Sequence, residues 1–507
     1  MRELRTLFSG VAEAIREKDG TAADITAASF PERIRAIPSG GITLESLTIT
    51  APPRKTCYAV GETFDPAGMI ARAAFSNGQS MRVDHEDLTF DPAGPLGRSA
   101  GQVTVGFRWG DEAVSAVQPV TMADVFGVCW SYGEPSSALI RLTPATDPNG
   151  LVTAAVEAEP VPAVGGGAGS SPFDGVLPWA GMEEYNISGG QAVYKRGDGG
   201  FSREELDTVV YIPEFWYQCI DDPENSRRYW YVSAAAANGM ERHPGSGRYL
   251  GRYASGAGYA VRSGLAPQVS VTRAQARAGC AGKGAGWRQY DFMSYCAVVL
   301  LYLVEFADWD SQAKIGKGYV NFSAASSPAV SGGTDSMVYH TGRAAGVDGQ
   351  TCVQYRHLEN LWGNVFQWVD GFNAADFAAY LTADPDRYGD DITEQDVPAG
   401  VTISNEKKSI KAFGMSAAAP WALIPSETTD DQTAYVRDYM FAEAGARALC
   451  VGGHFCSWPN VEAEGLLCFD VSNAPDAVRN YIGSRLLFDP GRGGNICPDE
   501  RPGTGEK

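Results

Sequence analysis

The sequence lacks the features that mark disulfide scaffolds, membrane proteins and nucleic-acid coats. None of its ten cysteines forms a CxxC pair, so we expect reduced thiols rather than a zinc site or a disulfide framework. The longest apolar run, 296–304, is half the roughly 20 residues that a spanning helix needs. The N-terminus has no apolar signal-peptide core. A net charge of −20 argues against nucleic acid and anionic membranes as partners.

Signatures of common enzymes are missing too. There is no phosphate-binding GxxxxGK[ST] loop, no GxSxG nucleophile elbow and no HExxH metal motif. The five histidines show no metal-ligand spacing. Residues 384–389 begin like a calcium loop, but Tyr388 stands where an oxygen ligand is needed. We therefore expect no metal and no cofactor.

What the sequence does contain is three regions of different character. Over residues 1–42, Leu4, Leu7, Val11 and Ile15 recur at helical spacing, which predicts a short helical segment with a second helix near 31–37. Over 43–122 the apolar period changes to two between turn clusters, which predicts an all-β sandwich. The remainder, 123–507, predicts a large α+β domain that folds as one unit, with the Gly-rich stretch 164–172 as a surface loop.

Two stretches of this last region have helical patterns. Thr272 is placed to cap a helix through TRAQARAGCAGKG, and Asp291 to cap DFMSYCAVVLLYLVEFADW. The second stretch is apolar nearly all round. It is therefore expected to lie buried against a sheet.

The region 43–122 contains TCYAVGETFDPAGM, then SNGQS and a closing AVSAVQPVTM. Together these stretches resemble the bacterial immunoglobulin-like repeats of surface and phage-tail proteins. Cys57 is the one cysteine of the region, so no intersheet disulfide is implied. The resemblance implies a spacer module without a site of its own.

Three motifs in 123–507 carry a second resemblance. They are GNVFQW at 363–368, RALCVGG at 447–453 and IGSRL at 482–486, and they resemble the C-type-lectin-like fold in its formylglycine-generating-enzyme branch. Trp362, Phe366 and Trp368 are predicted to share one strand face and to pack in the core. The glycines of the GG pair are predicted to form a turn that side chains would block.

The stretches YIPEFWY, HPGSGRYLGRY and YIGSRLLF sharpen this likeness. They resemble the variable proteins that retroelements diversify and that phage tails carry as receptor-binding proteins. The resemblance implies a bacterial cell-surface protein or glycan as ligand, and attachment to other tail proteins through the N-terminal segment. It also implies a place in the virion tail after synthesis in the host cytoplasm. Tail fibres of this sort are often trimers, and the Leu4, Leu7 and Val11 face could support a homotrimer.

In that family the diversified stretch lies between the GG strand and the final GSR strand, here residues 454–481, which we call the variable segment. Residues 461–469 alternate like a strand, so either Leu466 and Cys468 or Leu467 and Phe469 should point inward. Aromatic and small polar residues in the rest suit a contact surface. The candidate exposed, ligand-binding residues are His454, Phe455, Cys456, Trp458, Asn460, Asp470, Ser472, Asn473, Asp476, Val478, Arg479 and Tyr481.

Two functions follow from these resemblances. The leading hypothesis is a non-enzymatic receptor-binding protein. The alternative is an oxidase like the formylglycine-generating enzyme, whose catalytic cysteines lie between the same two strands, as Cys456 and Cys468 do here. Activated thiols need a cationic or metal-binding neighbourhood, whereas the charges nearest in sequence are acidic. A calcium-dependent sugar lectin is disfavoured because its EPN or QPD and WND motifs are absent.

Overall fold

The computed structural model describes residues 11–16, 26, 42–132, 134–237, 239–323, 325–431, 435–457 and 461–490. The chain divides into two compact units, Met1–Met122 and Ala123–Lys507. Residues 11–16 are helical, and Ala12 and Ile15 are buried there. Most of the first predicted N-terminal helix, with Leu4 and Leu7, and the second one near 31–37 lie outside the described residues.

The first unit contains a sandwich of two small antiparallel sheets. One sheet contains Leu44–Ala51, Ile70–Phe75 and Ser80–Asp84, the other contains Thr89–Asp91, Gln102–Trp109 and Glu112–Pro119, and a short pair joins Cys57–Ala59 to Thr121–Ala123. Alternate residues face inward, so a single core includes Ala71 and Val83 from the first sheet and Val103 and Val105 from the second. The predicted all-β sandwich is confirmed.

Within its described residues, the second unit contains four sheets. A five-stranded sheet joins Ile140–Arg141, Val125–Ser131, Arg227–Ser233, Trp216–Asp222 and Glu241–Arg242, and a four-stranded one joins Ala163–Val164, Gly342–Arg343, Val353–Tyr355 and Leu358–Glu359. A six-stranded sheet joins Gln191–Lys195, Glu184–Ser188, Asp207–Ile212, Arg248–Ala254, Arg485–Phe488 and Trp287–Gln289. The nine-stranded sheet contains Val397–Thr402, Ala378–Leu381, Phe366–Ala375, Ala446–Val451, Phe469–Val471, Tyr439–Ala442, Lys408–Gly414 and Ile424–Thr429, with Ile482–Gly483 beside Phe366–Ala375.

Both predicted helices of the second unit form where their caps indicate. The helix Arg273–Ala281 begins at Thr272, whose hydroxyl accepts from the Gln275 amide while the Gln275 side chain accepts from the Thr272 amide. The helix Phe292–Phe306 begins at Asp291, whose carboxylate accepts from the Ser294 amide at 2.8 Å. A further short helix, Ser311–Lys314, was not predicted. Five 3-10 helices also lie among the described residues, at His85–Asp87, Trp179–Gly181, Pro223–Asn225, Ala257–Tyr259 and Pro385–Arg387.

The helix Phe292–Phe306 lies at the centre of the second unit. All fifteen of its residues are buried, and it packs between strands of the five-stranded sheet and the strand Phe366–Ala375 of the nine-stranded sheet. Its one charged residue, Glu305, is paired with Arg356 at 2.7 Å and accepts a hydrogen bond from the Tyr355 hydroxyl. The prediction of a helix buried against sheets is therefore confirmed, since an all-round apolar surface needs cover on every side.

The three motifs of the lectin-like resemblance meet at one strand. Phe366–Ala375 pairs antiparallel with Ala446–Val451 on one side and parallel with Ile482–Gly483. Directly after this last pair, the side chain of Arg485 is fully buried. Its guanidinium donates to Gln367 Oε1 and to the carbonyls of Gly251, Arg252, Glu359 and Asn360. Segments far apart in sequence are thus fixed around one side chain.

The prediction that Trp362, Phe366 and Trp368 share a strand face is wrong for Trp362. The strand begins only at Phe366, and the residues before it form turns in which Asn364 has a φ of +65°. The Trp362 indole donates to the Gly316 carbonyl at 3.0 Å within the main core. Phe366 and Trp368 pack in a separate cluster. The predicted burial of all three aromatic side chains is confirmed.

The glycine pair after Ala446–Val451 turns the chain into the variable segment. Gly452 and Gly453 have φ values of +89° and +70°, a region that favours glycine. A Cβ at Gly453 would lie 2.1 Å from Glu464 Oε2, and one at Gly452 would lie 2.3 Å from the Leu361 carbonyl. The pair is required both for its backbone conformation and for the close approach of its neighbours.

We predict that Gly453→Ala lowers the free energy of unfolding by about 3 kcal/mol or more, because left-handed strain adds to a clash with a buried side chain. The matched control is Gly400→Ala, where φ is +69° and no atom lies within 4 Å of the added Cβ. This control should cost only about 1 kcal/mol. Denaturant unfolding of both variants measures the difference, and equal losses would contradict the close packing at Gly453.

Candidate functional site

The variable segment begins and ends beside the same strand. It leaves Ala446–Val451 through the glycine turn and returns in Ile482–Gly483, and both of these strands pair with Phe366–Ala375. Sheet hydrogen bonds therefore fix both ends of residues 454–481.

His454 and Tyr481, at opposite ends of the segment, meet face to face. Their ring centroids are 4.4 Å apart with an interplanar angle of 24°, and the His454 ring also contacts Phe366 at 5.2 Å. Both residues are half-buried. Burial lowers the pKa of His454 to about 4, so its imidazole is neutral at physiological pH and contributes aromatic surface rather than charge.

Phe455 corrects one prediction of exposure. Its side chain is fully buried, its amide donates to the Asn364 carbonyl at 2.9 Å, and its own carbonyl accepts from the Phe322 amide at 3.0 Å. Cys456, next along the chain, is half-buried, and its sulfur lies 3.3 Å from His454 Nδ1. Trp458 and Asn460 lie outside the described residues.

Two buried carboxyl groups hold the backbone of the segment. Glu464 Oε2 accepts from the His454 amide at 3.0 Å. Asp438, from outside the segment, accepts from the amides of Gly465 at 2.9 Å and Leu467 at 2.7 Å. Burial raises the pKa of Glu464 to about 8 and that of Asp438 to about 7. These two buried carboxyl groups therefore help to fix the backbone of the segment.

The prediction of a strand over 461–469 is wrong. Regular pairing covers only Phe469–Val471, because the preceding amides bond to side chains, among them the Leu466 amide to Ser311 Oγ at 2.9 Å. Without a regular strand, inward and outward positions need not alternate, so Leu466 and Cys468 can be buried together with Leu467 and Phe469. Leu466, Leu467, Cys468 and Phe469 are all buried.

Asp470 and Asn473 also correct the expected exposed set, because both are buried. Asp470 accepts from the amide and hydroxyl of Ser472, each at 2.7 Å, and from the Asn473 side-chain amide at 3.0 Å. The Asn473 carbonyl accepts from the Ala448 amide. These two side chains build a turn instead of facing solvent, and Ser472 is half-buried within it.

Residues 476–480 form an exposed turn near the end of the segment. Asp476, Val478 and Arg479 are exposed, as predicted, and Val478 is 49% accessible. The backbone is nevertheless fixed: the Arg479 carbonyl accepts from the Ser270 amide at 2.9 Å, and the Pro475 carbonyl from the Arg273 amide at 3.1 Å. This is the expected form of a supported contact loop.

The sequence analysis missed a second aromatic pair beside the segment. Tyr319 and Phe322 stack with centroids 3.9 Å apart, and both are half-buried. Asn321 forms a bridge with Cys456, which places this pair next to the start of the variable segment. The sequence shows two aromatic residues three positions apart, but nothing in it indicates that they lie beside the variable segment.

Among the described residues, no cationic group lowers the pKa of the Cys456 or Cys468 thiol. Burial raises the pKa of Cys456 above its usual range, and that of Cys468, which is completely buried, well above it. Among the described residues, no group of three or more His, Cys, Asp or Glu side chains is arranged to hold a metal ion. In the same part of the chain, no helix is both long and apolar enough to cross a membrane.

We predict that a maleimide labels Cys456 in the native protein well before Cys280, Cys296 and Cys352. The first is partly accessible, whereas the other three are buried, as the apolar contexts in the sequence predict. Site-resolved mass spectrometry over a time course measures the order, with denatured protein as the control in which all four label. Early labelling of Cys296 would contradict the burial of the central helix.

We predict that stability falls as the pH rises from about 5 to about 8, and that Glu464→Gln removes part of this fall. With a pKa of about 8, the folded Glu464 keeps a proton that the unfolded chain releases near its ordinary pKa of about 4.3. The folded state therefore binds more protons in this range, and stability declines with pH. Melting temperature against pH is the measurement.

Glu462→Gln is the matched control for this experiment. Glu462 is half-exposed and pairs with Lys317 at 2.8 Å, and this pairing lowers its pKa. It is already ionised in both states above about pH 5, so its removal leaves the slope unchanged. A Glu464→Gln profile parallel to that of the wild type would show that Glu464 is ionised in the fold.

Comparison with known families identifies part of the first unit. The family described as Bacterial Ig-like domain (group 3) matches residues 51–94, less than a tenth of the 507 residues. These residues lie within the sandwich described above, and the match supports the immunoglobulin-like assignment made from the sequence. No curated protein matches the chain. The second unit is thus described by its geometry alone.

Proposed function

We propose that the chain is a non-enzymatic receptor-binding protein of a phage tail, of the retroelement-diversified kind. In this proposal the N-terminal segment attaches the chain to other tail proteins and the immunoglobulin-like sandwich acts as a spacer. The second unit is C-type-lectin-like and recognises a bacterial cell-surface protein or glycan through the variable segment. The protein acts outside the cell, in the virion tail.

One observation carries the proposal. The exposed side chains of the variable segment lie on a backbone that other residues fix. The buried side chains of Asp438, Glu464 and Asp470 accept hydrogen bonds from backbone amides of the segment. The amides of Ser270 and Arg273 donate to backbone carbonyls at the 476–480 turn. A surface built in this way tolerates many side chains at a constant backbone, which is what diversification requires.

The residue types at the surface support recognition. The half-buried pairs His454–Tyr481 and Tyr319–Phe322 offer rigid aromatic area at low entropy cost. Arg479 and Asp476 add exposed charges of both signs to the segment. Aromatic and arginine anchors of this kind commonly dominate binding energy.

One contact favours the alternative, an oxidase acting through Cys456 and Cys468. The Cys456 sulfur lies 3.3 Å from His454 Nδ1, the distance at which an imidazole can activate a thiol. However, burial lowers the pKa of His454 and raises those of both thiols, so the neutral thiol is favoured at pH 7. A reactive cysteine needs the opposite shift, which is why we favour binding alone.

We predict that Arg479→Ala and Tyr481→Ala each weaken binding of the purified protein to host cells by about 30-fold or more. The stability cost should be less than about 0.5 kcal/mol for the exposed Arg479 and about 1 kcal/mol for the stacked Tyr481. By contrast, Trp368→Ala should cost about 3–5 kcal/mol because it leaves a cavity. The measurements are melting temperature and adsorption to cells of the bacterium that the phage infects.

The matched controls are Arg387→Ala and Tyr194→Ala. Arg387 is 52% exposed as a side chain and Tyr194 is 40% exposed, and both lie in the second unit outside the variable segment. Neither change should alter adsorption. If the controls reduce adsorption as much as the test variants, or if the test variants leave it unchanged, recognition does not reside in this segment.

A further inference from the structure

A second concave site lies at the edge of the six-stranded sheet. Its cavity of about 470 Å³ falls within the usual range for small-molecule sites. The hairpin turn Gly189–Gly190, the start of the strand Asp207–Ile212 and the loop after the helix Arg273–Ala281 surround it. None of its lining residues belongs to the variable segment or to the aromatic pair beside it.

The cavity lining contains two positively charged side chains, Arg262 and Lys283, and one negatively charged one, Asp207. Asp207 accepts from Lys283 Nζ at 2.6 Å and from the Val261 amide at 2.8 Å. Arg262 is too far for a hydrogen bond, with its Nε 3.7 Å from Asp207. Two cations therefore share one carboxylate, which leaves an excess of positive charge at this wall in a chain whose net charge is −20. Such a wall favours an anionic ligand.

Among the described residues, Arg262 Nε has the Asp207 carboxylate at 3.7 Å but no hydrogen-bond partner. This Nε is buried, and a buried N–H normally finds such a partner. The side chain as a whole is 39% exposed and lines the cavity, so part of it is open to a ligand. A planar guanidinium binds a carboxylate through two parallel hydrogen bonds.

The rest of the wall leaves room for a ring. Gly189, Gly190 and Gly284 each have open space where a Cβ would stand. The apolar side chains of the lining are those of Ile187, Leu206, Ala285 and Trp287. Backbone without side chains beside an apolar surface accommodates a pyranose, whose faces are apolar and whose edges carry hydroxyl groups.

We propose that this cavity binds a carboxylated pyranose, an acidic sugar either free or at the end of a glycan. The ligand carboxylate pairs with Arg262, beside the Lys283–Asp207 pair, and the sugar ring lies against the glycine backbone. This site is independent of the function proposed above for the variable segment. A neutral sugar lacks the carboxylate, and inorganic phosphate lacks the ring.

Titration of the full chain followed by NMR and calorimetry tests the proposal. The probes are D-glucuronate, a disaccharide ending in glucuronate, D-glucose and inorganic phosphate, each up to about 10 mM. We expect both glucuronates to bind, and glucose and phosphate to bind at least about tenfold more weakly, because each lacks one of the two contacts. A preference for the disaccharide identifies a glycan end as the source, and equal binding identifies the free sugar as sufficient.

Variants locate the site. Arg262→Gln should weaken glucuronate binding by about tenfold or more, and Ala285→Trp should block the cavity from an exposed lining position. Arg387→Gln, at an exposed arginine that does not line the cavity, should change nothing. The proposal is overturned if neither glucuronate binds, or if phosphate or glucose binds as tightly as glucuronate. It is also overturned if both cavity variants bind glucuronate like the wild type. None of these outcomes depends on adsorption to cells.

Discussion

The second unit depends on the buried guanidinium of Arg485. Its donors reach Gln367 and four backbone carbonyls, two from the strand Arg248–Ala254 and two from residues 359–360. Burial lowers the pKa of Arg485 to about 10, yet the side chain stays charged at neutral pH. A buried charge requires all its hydrogen bonds, so the strands that supply the acceptors are held at one relative position.

The variable segment is a consequence of this arrangement. It joins Ala446–Val451 to Ile482–Gly483. Because both of these strands pair with Phe366–Ala375, the sheet alone brings the two ends of the segment close together. Glu464, Asp438 and Asp470 then fix its interior. Within the described part of the segment, the buried run 463–471 is structural. His454, Tyr481 and the 476–480 turn are at least partly accessible, and the Tyr319–Phe322 pair lies beside the start of the segment.

Local patterns predicted much of the fold. The caps at Thr272 and Asp291, the burial of Phe292–Phe306, the sandwich of the first unit and the turn at Gly453 all follow from side chain and spacing alone. The sequence signal for each of these features lies in residues a few positions apart, within the reach of one turn or one pleat. The strand prediction for 461–469 failed because side chains from elsewhere, such as Asp438 and Ser311, took the amide hydrogen bonds that a neighbouring strand would have taken.

For the candidate site, the sequence by itself determined where the segment lies and that its exposed turn includes Asp476, Val478 and Arg479. Only the tertiary structure decided that Asp470 and Asn473 are buried, and that Tyr319 and Phe322 stand beside Cys456. The reason is physical. Alternation and composition describe a residue's neighbours along the chain. Burial and surface contact depend on which other segments pack against that residue, and those segments can be distant in the sequence, as Asn321 is from Cys456.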